Sequence, residues 1–265
     1  DNDYGNGAPL RQQVWKTASQ QFQTEEASCR LDAFGNAVFR IPYRLPAGNM
    51  YVLTCTLRPS GVVHLAVRYD AAAEGTPTLP RIGLRFRLPE TLNEVEYFGR
   101  GPEENYPDRC AGTPIGLYHT TAEQLYFPYV RPQENGHHSD TRRLRLSAAE
   151  SRLSLIILSD TLFGFNALRN AIEDFDSEEA VHRPYQWNNF SPQEIAEHDE
   201  AAARNVLRRQ THIDDVSPRP FVEVCLDHHH QGLGGNDSWG ALPEPPYRIS
   251  AMEAYNFSFT LIPDI

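Results

Sequence analysis

The sequence has few of the features that mark metal-binding, redox or membrane proteins. It has four cysteines, Cys29, Cys55, Cys110 and Cys225, which lie far apart and form no C-x-x-C pair. This spacing argues against a zinc knuckle or a thiol redox centre, and we expect mostly buried free thiols. No unbroken apolar run is long enough to span a bilayer, and the N-terminus lacks the basic-then-apolar order of a signal peptide. We therefore expect a soluble chain without a membrane partner, whose compartment is not assigned.

Positive charge is also scarce. The chain has 24 Lys and Arg against 35 Asp and Glu, which gives a net charge of −11 over 265 residues. Such a surface repels nucleic-acid phosphates, and no Lys/Arg stripe interleaved with aromatic residues offsets the repulsion locally. Nucleic acid is therefore excluded as a partner. The 40% hydrophobic content is enough for a substantial core, and the length fits one domain over residues 1–265.

What the sequence does contain is a repeated alternation of apolar and polar residues. A period of two indicates strands with one buried and one exposed face. The alternating segments are 37–43, 51–57, 63–69, 82–88, 95–97, 144–146, 153–157, 222–226 and 257–261. Many strands at near-regular spacing predict an all-β fold, an antiparallel β-sandwich.

Helical signals are few. Residues 1–5 have turn chemistry, whereas Leu10, Val14 and Trp15 follow at helix-like spacing. Ser191-Pro-Gln-Glu194 combines a capping serine, a proline at the first helical position and a glutamate at the third, which predicts one short surface helix to about Ala203. The acidic stretch 169–189 has no steady period and is interpreted as a loop or insertion. The abrupt start at Asp1 suggests a fragment of a longer protein.

One segment near the C-terminus is built to present a residue. The strand-like run 222–226 leads into the glycine-rich turn 232–235, which Asn236, Asp237 and Ser238 can brace by side-chain to backbone hydrogen bonds. Trp239 follows on this support. An indole held there can stack on the C–H face of a sugar, but a core tryptophan below a strand end fits the pattern equally well.

The histidine triplet His228-His229-His230 raises the question of a metal site. Neighbouring side chains of a strand point to opposite faces, so that at most His228 and His230 can share one ion, and Asp227 faces the wrong way. We therefore expect no metal, with one histidine packed beneath the glycine loop and the others solvated. His137-His138 is equally ambiguous and has weaker support.

No catalytic centre is evident from the residues alone. Glycoside hydrolysis needs two carboxyl groups that face each other across the scissile bond. Glu103, Glu104 and Glu134 lie in Pro- and Gly-rich loops, but nothing in their spacing pairs them, and a turn-bracing role fits Glu134 at least as well. No G-x-S-x-G elbow and no phosphate-binding glycine loop is present.

Three segments together carry a family resemblance: 99–109 (GRGPEENYPDR), 128–136 (PYVRPQENG) and 232–239 (GLGGNDSW). Their order and spacing resemble the C-terminal domain, or separate small chain, of the β-galactosidases of glycoside hydrolase family 2. The opening DNDYG and the segment 80–83 are similar as well, so that the resemblance covers nearly the whole chain. It departs from the family at Asn236, where a second aspartate is frequent, and in the length of the acidic stretch 169–189.

The resemblance implies a large twisted antiparallel sandwich of the galactose-mutarotase-like type. It also implies that the catalytic glutamates and the Mg and Na sites belong to a preceding barrel, which is usually part of a homo-oligomer. Trp239 then contacts substrate, Gly234, Gly235, Asn236 and Asp237 support its loop, and this chain alone is inactive on lactose. The resemblance assigns loop bracing to further residues, namely Glu103, Tyr106, Arg109, Glu134 and Asn135.

Two alternatives stay open. A mutarotase-like sandwich can interconvert sugar anomers itself, with His137 or His230 and Glu134 as its acid and base. The chain can also be a carbohydrate-binding module that acts alone.

Overall fold

The computed structural model describes residues 2–175, 216–237 and 239–264, together with Gln193 and Ile213. The helix predicted from Ser191 and most of the acidic stretch 169–189 lie outside the described residues. Twelve strands are present within them. Their bounds are β1 Gln23–Thr24, β2 Ser28–Leu31, β3 Ala37–Arg44, β4 Met50–Leu57, β5 Val63–Tyr69, β6 Arg81–Pro89, β7 Glu94–Arg100, β8 Ile115–Thr121, β9 His138–Ser147, β10 Ser154–Leu168, β11 Phe221–His230 and β12 Tyr255–Asp264.

The strands form one open, sandwich-like antiparallel sheet, which confirms the predicted all-β class. Its main path runs β1-β3-β4-β5-β12-β10-β9-β7-β8, and β2 pairs with β3. The 15-residue strand β10 has β9 along one edge and two successive partners along the other, because its first half pairs with β12 and residues 164–168 pair with β11. Strand β11 in turn pairs with β6. This branch turns the sheet back on itself and encloses the core.

Short helices precede the sheet: α1 Asn2–Asn6, α2 Ala8–Arg11, α3 Gln13–Lys16 and α4 Ala18–Gln21. The expectation of turn chemistry alone at residues 1–5 is therefore wrong. The segment is attached to the connection between β5 and β6, because Gln12 Nε2 and Trp15 Nε1 each donate a 3.0 Å hydrogen bond, to Thr78 O and Pro77 O. Two 3-10 helices, Ile172–Phe175 and Pro245–Tyr247, follow later. In the described parts of the chain, no helix combines the length and the apolar character of a membrane span.

In strands with one solvent-exposed face, the buried residues follow the predicted alternation. Many of the fully buried apolar side chains come from β9, β10 and β11, namely Leu144, Leu146, Ile157, Phe165, Val222, Val224 and Leu226. Strands β1, β2 and β8 were not predicted, and β10 extends well past the predicted 153–157. Residues 163–168 are all buried, so that no alternation marks the second half of β10.

The cysteines agree only in part with the expectation of buried thiols. All four are free, and Cys225 is buried between charged groups in β11. Cys29 is exposed because the sheet is uncovered at β2. The expectation is therefore wrong for Cys29.

Candidate functional site

The three loops that carry the family resemblance meet at one end of the sheet. Glu104, in loop 99–109, accepts a 2.6 Å hydrogen bond from the amide of Gly136 and a further one from the Tyr129 hydroxyl. Asp108, in the same loop, accepts hydrogen bonds from the glycine-rich segment after β11. Loop 99–109 therefore joins the other two loops, a relation that their separation in the sequence does not reveal.

The Asp108–Arg109 turn holds the glycine-rich segment in place. Asp108 accepts two backbone hydrogen bonds, from the amides of Leu233 (2.9 Å) and Gly234 (2.8 Å). Arg109 donates to the carbonyl oxygen of the same Gly234. The turn is closed by reciprocal backbone hydrogen bonds between Tyr106 and Arg109. Sequence reasoning named Arg109 but missed Asp108, although an aspartate after a proline is a common turn residue.

Trp239 lies at the tip of this loop with 73% of its side chain exposed. The interpretation as a core tryptophan is therefore wrong. Asp237 Oδ1 accepts hydrogen bonds from the amides of Trp239 (2.8 Å) and Ala241 (3.1 Å), and Gly235 donates to Ala241 O at 2.9 Å. Asn236 is exposed, and Ser238 lies outside the described residues. The backbone on both sides of the indole is thus fixed by its own loop.

Two glycines of the loop are required by its packing. Gly234 has φ +66°, and a Cβ atom there would lie 2.6 Å from Ala241 O. Gly240 has φ +81°, and a Cβ atom would lie 2.8 Å from the carbonyl carbon of Gly5 at the end of α1. Both conformations favour glycine, and the close approaches leave no room for a side chain. The loop is therefore packed against its own return segment and against α1.

A buried aromatic cluster supports the turn from below. The Tyr106 ring stacks on His137, with ring centroids 5.2 Å apart, and His230 lies 4.6 Å from His137. Only 1% of His137 and 2% of Tyr106 is exposed. His137 Nδ1 donates a 2.8 Å hydrogen bond to Asn105 O, which fixes its tautomer. Burial lowers the pKa of His137 to about 3 and that of His230 to about 4, so that both rings are neutral at pH 7.

A buried ion pair borders this cluster. Arg81 Nε donates to Asp227 Oδ1 at 2.9 Å, and Asp227 Oδ2 lies 3.6 Å from His137 Nε2. Burial alone would raise the pKa of Asp227, but the charge and hydrogen bonds of Arg81 outweigh it and hold the pKa below its ordinary value. Glu134 accepts from Arg81 (3.4 Å) and from Asn166 Nδ2 (2.9 Å). Arg81 thus neutralises the buried Asp227, as a buried charge requires, and is shared with the partly exposed Glu134.

A β-bulge changes the predicted geometry of the histidine triplet. Asp227 pairs with Gly83 of β6 and His229 with the next residue, Ile82, so that His228 is the extra residue. His228 therefore lies beside His229, with ring centroids 4.1 Å apart, and stacks on Phe257. The expectation that His228 and His230 share a face, with Asp227 turned away, is wrong. His230 and Asp227 both lie next to His137.

The described arrangement is suited to holding a loop rather than to acid–base chemistry. Glu104 and Glu134 are engaged by hydrogen bonds, and Glu103 is exposed. The structure brings together His137, His230 and Glu134, the acid and base candidates of the mutarotase alternative. However, the backbone of Gly164 packs closely against His137 Nε2, since a Cβ atom at Gly164 would lie 2.3 Å from that nitrogen. Across the described ranges, no three His, Cys, Asp or Glu side chains are grouped to hold a metal ion.

Comparison with known proteins agrees with this geometry. The family model described as "Beta galactosidase small chain" matches residues 1–261. The chain is similar to a β-galactosidase of Streptococcus thermophilus, 28% identical over 99% of this chain and 22% of the relative. It has the same identity and coverage with a β-galactosidase of Priestia megaterium. A β-galactosidase of Aeromonas hydrophila is 34% identical over 71% of this chain and 15% of its own length.

This sandwich-like β domain thus corresponds to one part of much longer β-galactosidases, which are glycoside hydrolases. The chain belongs to the β-galactosidase small-chain family. It spans 22% of the length of the first-named relatives. The match includes all three converging loops and the whole of the buried cluster beneath them.

Proposed function

We propose that this chain completes the substrate pocket of a retaining β-galactosidase by supplying Trp239. The observation that carries the proposal is the indole itself, which is 73% exposed on a loop whose backbone is fixed on both sides. An exposed tryptophan on a rigid support loses little conformational entropy on binding, and its flat face matches the C–H face of galactose. The contact belongs to the initial, shallow binding mode.

The free energy that this contact contributes can be estimated from the apolar surface that the indole buries. Burying most of a large apolar side chain contributes about 1.5–3 kcal/mol. A difference of 1.4 kcal/mol is tenfold in affinity, so that loss of the indole weakens binding by roughly 10- to 100-fold. The supporting positions are Gly234, Gly235, Asn236 and Asp237, which set the path of the loop rather than touch the sugar.

The catalytic groups belong to another part of the enzyme. A retaining glycosidase needs a nucleophile and an acid/base about 5–5.5 Å apart, and Glu104 and Glu134 are occupied by bracing contacts. We assign the two glutamates and the Mg and Na sites to a catalytic barrel. The whole enzyme forms a homo-oligomer, and this chain alone does not hydrolyse lactose.

The first test is Trp239→Ala in the whole enzyme, assayed on lactose and on a chromogenic galactoside. We expect KM to rise roughly 10- to 100-fold with a smaller change in kcat, because the lost contact belongs to initial binding. Met252→Ala is the matched control, since Met252 is an apolar residue that is 50% exposed elsewhere on the surface. Unchanged KM in Trp239→Ala would remove the proposed role.

A second assay addresses the chain by itself. The chain is incubated with the chromogenic galactoside alone and after mixing with the catalytic part; hydrolysis by the chain alone would refute the division of labour. The proximity of His230 Nε2 to Glu134 Oε1, 4.0 Å, favours testing anomer interconversion as well. Polarimetry on α-galactose decides this, and we expect no acceleration because the imidazoles are buried. Calorimetric titration of the chain with lactose tests the binding-module alternative.

A further inference from the structure

One side-chain row crosses nearly the whole main sheet. Directly paired residues of adjacent strands point to the same face, so that a chain of pairings identifies a row. From the β2 end inward, the pairings join Leu31, Ala37, Leu57, Val63, Leu261 and Ile157. The row ends in the core, and every member is apolar. The face that forms the core therefore continues outward to β2.

Burial along this face falls off steeply. Ile157 is 0% exposed, whereas Leu57 is 42% and Leu31 is 73% exposed. The neighbouring row shows the same gradient, from Phe259 at 1% to Phe39 at 37%. It ends at the exposed Cys29, which pairs with Phe39. We call the uncovered outer portion, Cys29, Leu31, Phe39 and Leu57, the apolar shelf.

The apolar shelf lies beyond the layer that covers the core. That layer consists of β6 and β11, which join the sheet at the second half of β10. It reaches β4 at Tyr51, whose hydroxyl donates to Gly83 O at 2.8 Å, six residues along the strand from Leu57. The opposite face of the same strands is polar, as in the row Arg30, Val38, Thr56, His64 and Thr260. The sequence of these strands thus specifies a buried face for which this chain supplies no cover among its described residues.

We infer that the apolar shelf is the surface on which the catalytic part of the β-galactosidase docks. The inference rests on the proposed function, because it takes the chain to be one part of that enzyme. In the Streptococcus thermophilus relative, the matched segment is 22% of the protein, so that about four fifths of that protein lies outside the segment and can supply a cover for this face. An apolar face continuous with the core is the surface that such packing stabilises most.

The chain carries its own probe of this interface. Cys29 lies on the apolar shelf, and Arg30, the next residue of β2, lies on the polar face. The experiment measures the rate of maleimide labelling at Cys29 in the whole enzyme. The matched control is the labelling rate of Arg30→Cys in a Cys29→Ser background. Residues 29 and 30 are neighbours in the same edge strand, so that the two thiols differ chiefly in the face of the sheet on which they lie.

We expect Cys29 to react about tenfold or more slowly than the thiol of Arg30→Cys in the whole enzyme, because covered thiols are inert. In the chain alone at low concentration the two rates should be similar. Equal rates in the whole enzyme would overturn the inference. So would protection of Cys29 that arises in the chain alone as its concentration increases, because the occupant would then be a second copy. Labelling involves no substrate, so that its outcome is independent of whether Trp239 contacts sugar.

A pair of neighbouring substitutions gives a second measurement. Leu57→Asp places a charge on the apolar shelf at a position already exposed in the chain, and Thr56→Asp places one on the polar face. We expect Leu57→Asp to weaken association of separately made parts at least tenfold more than Thr56→Asp does. In the whole enzyme, Leu57→Asp should lower the thermal midpoint by more than Thr56→Asp does. Equal effects would refute docking at the apolar shelf.

Discussion

Removing the Asp108 carboxylate should displace Trp239 without touching it. Asp108 accepts two backbone hydrogen bonds, 2.9 Å from Leu233 N and 2.8 Å from Gly234 N. Hydrogen bonds to a charged acceptor contribute about 1.5–3 kcal/mol each, and partial exposure of Asp108 favours the lower end. Asp108→Ala should therefore destabilise the closed loop by about 3 kcal/mol, and Asp108→Asn, which keeps one acceptor, by about half of that.

The expected readout in the whole enzyme is a higher KM, because apparent affinity falls with the fraction of loops in the binding conformation. The increase in KM is limited by the whole contribution of the indole, roughly 10- to 100-fold. Asp32→Ala is the matched control, since Asp32 Oδ1 accepts two amide hydrogen bonds in the β2–β3 turn, from Phe34 and Asn36. That variant should leave KM unchanged.

A double-mutant cycle separates a positioning role from general loss of structure. If Asp108 acts through Trp239, Asp108→Ala should add little to KM in a Trp239→Ala background, and the two effects should be strongly non-additive. An increase in KM of the same size in both backgrounds would refute the reasoning. Fluorescence of Trp239, in a chain whose two other tryptophans are replaced by phenylalanine, should report the altered loop directly.

Two further predictions concern the same region. Gly234→Ala should raise KM and lower the free energy of unfolding by more than the about 1–2 kcal/mol that left-handed strain alone costs, because its Cβ meets Ala241 O at 2.6 Å. Gly75→Ala measures the strain by itself in urea unfolding, since Gly75 has φ +82° and nothing lies within 4 Å of its Cβ. Burial lowers the pKa of His137 to about 3 and that of His230 to about 4, against about 6.5 in the unfolded chain. The stability that the neutral rings give the folded state is therefore present above pH 6.5 and is lost as the pH falls towards 4. Urea unfolding should show a loss of about 2 kcal/mol per ring from pH 7 to pH 5, and equal free energies of unfolding at the two pH values would contradict the neutral cluster.

The sequence predicted those strands whose two faces differ. Strand β7 has Val95 and Tyr97 buried beside partly exposed neighbours, and the period of two marks it clearly. Strand β8 escaped prediction because it is an edge strand in which Ile115 and Leu117 are both exposed, so that its apolar residues mark no buried face. The second half of β10 was missed for the opposite reason, since both of its faces are buried.

The site was harder to predict because its contacts join distant segments. Local turn chemistry at Gly234 and Asp237 can be read from neighbouring residues. The contact between Asp108 and Gly234 spans 126 positions, and no local pattern encodes it. The bulge at His228 reversed the expected faces of the triplet because one unpaired residue changes the alternation of all that follow.

The location of every described restraint on the Trp239 loop has a consequence for assembly. Asp108, Arg109 and Asp237 all belong to this one chain, and none of their contacts to the loop needs a residue from elsewhere. The backbone that carries Trp239 is therefore ordered by this chain itself, so that contact with a partner does not incur the entropic cost of ordering that segment.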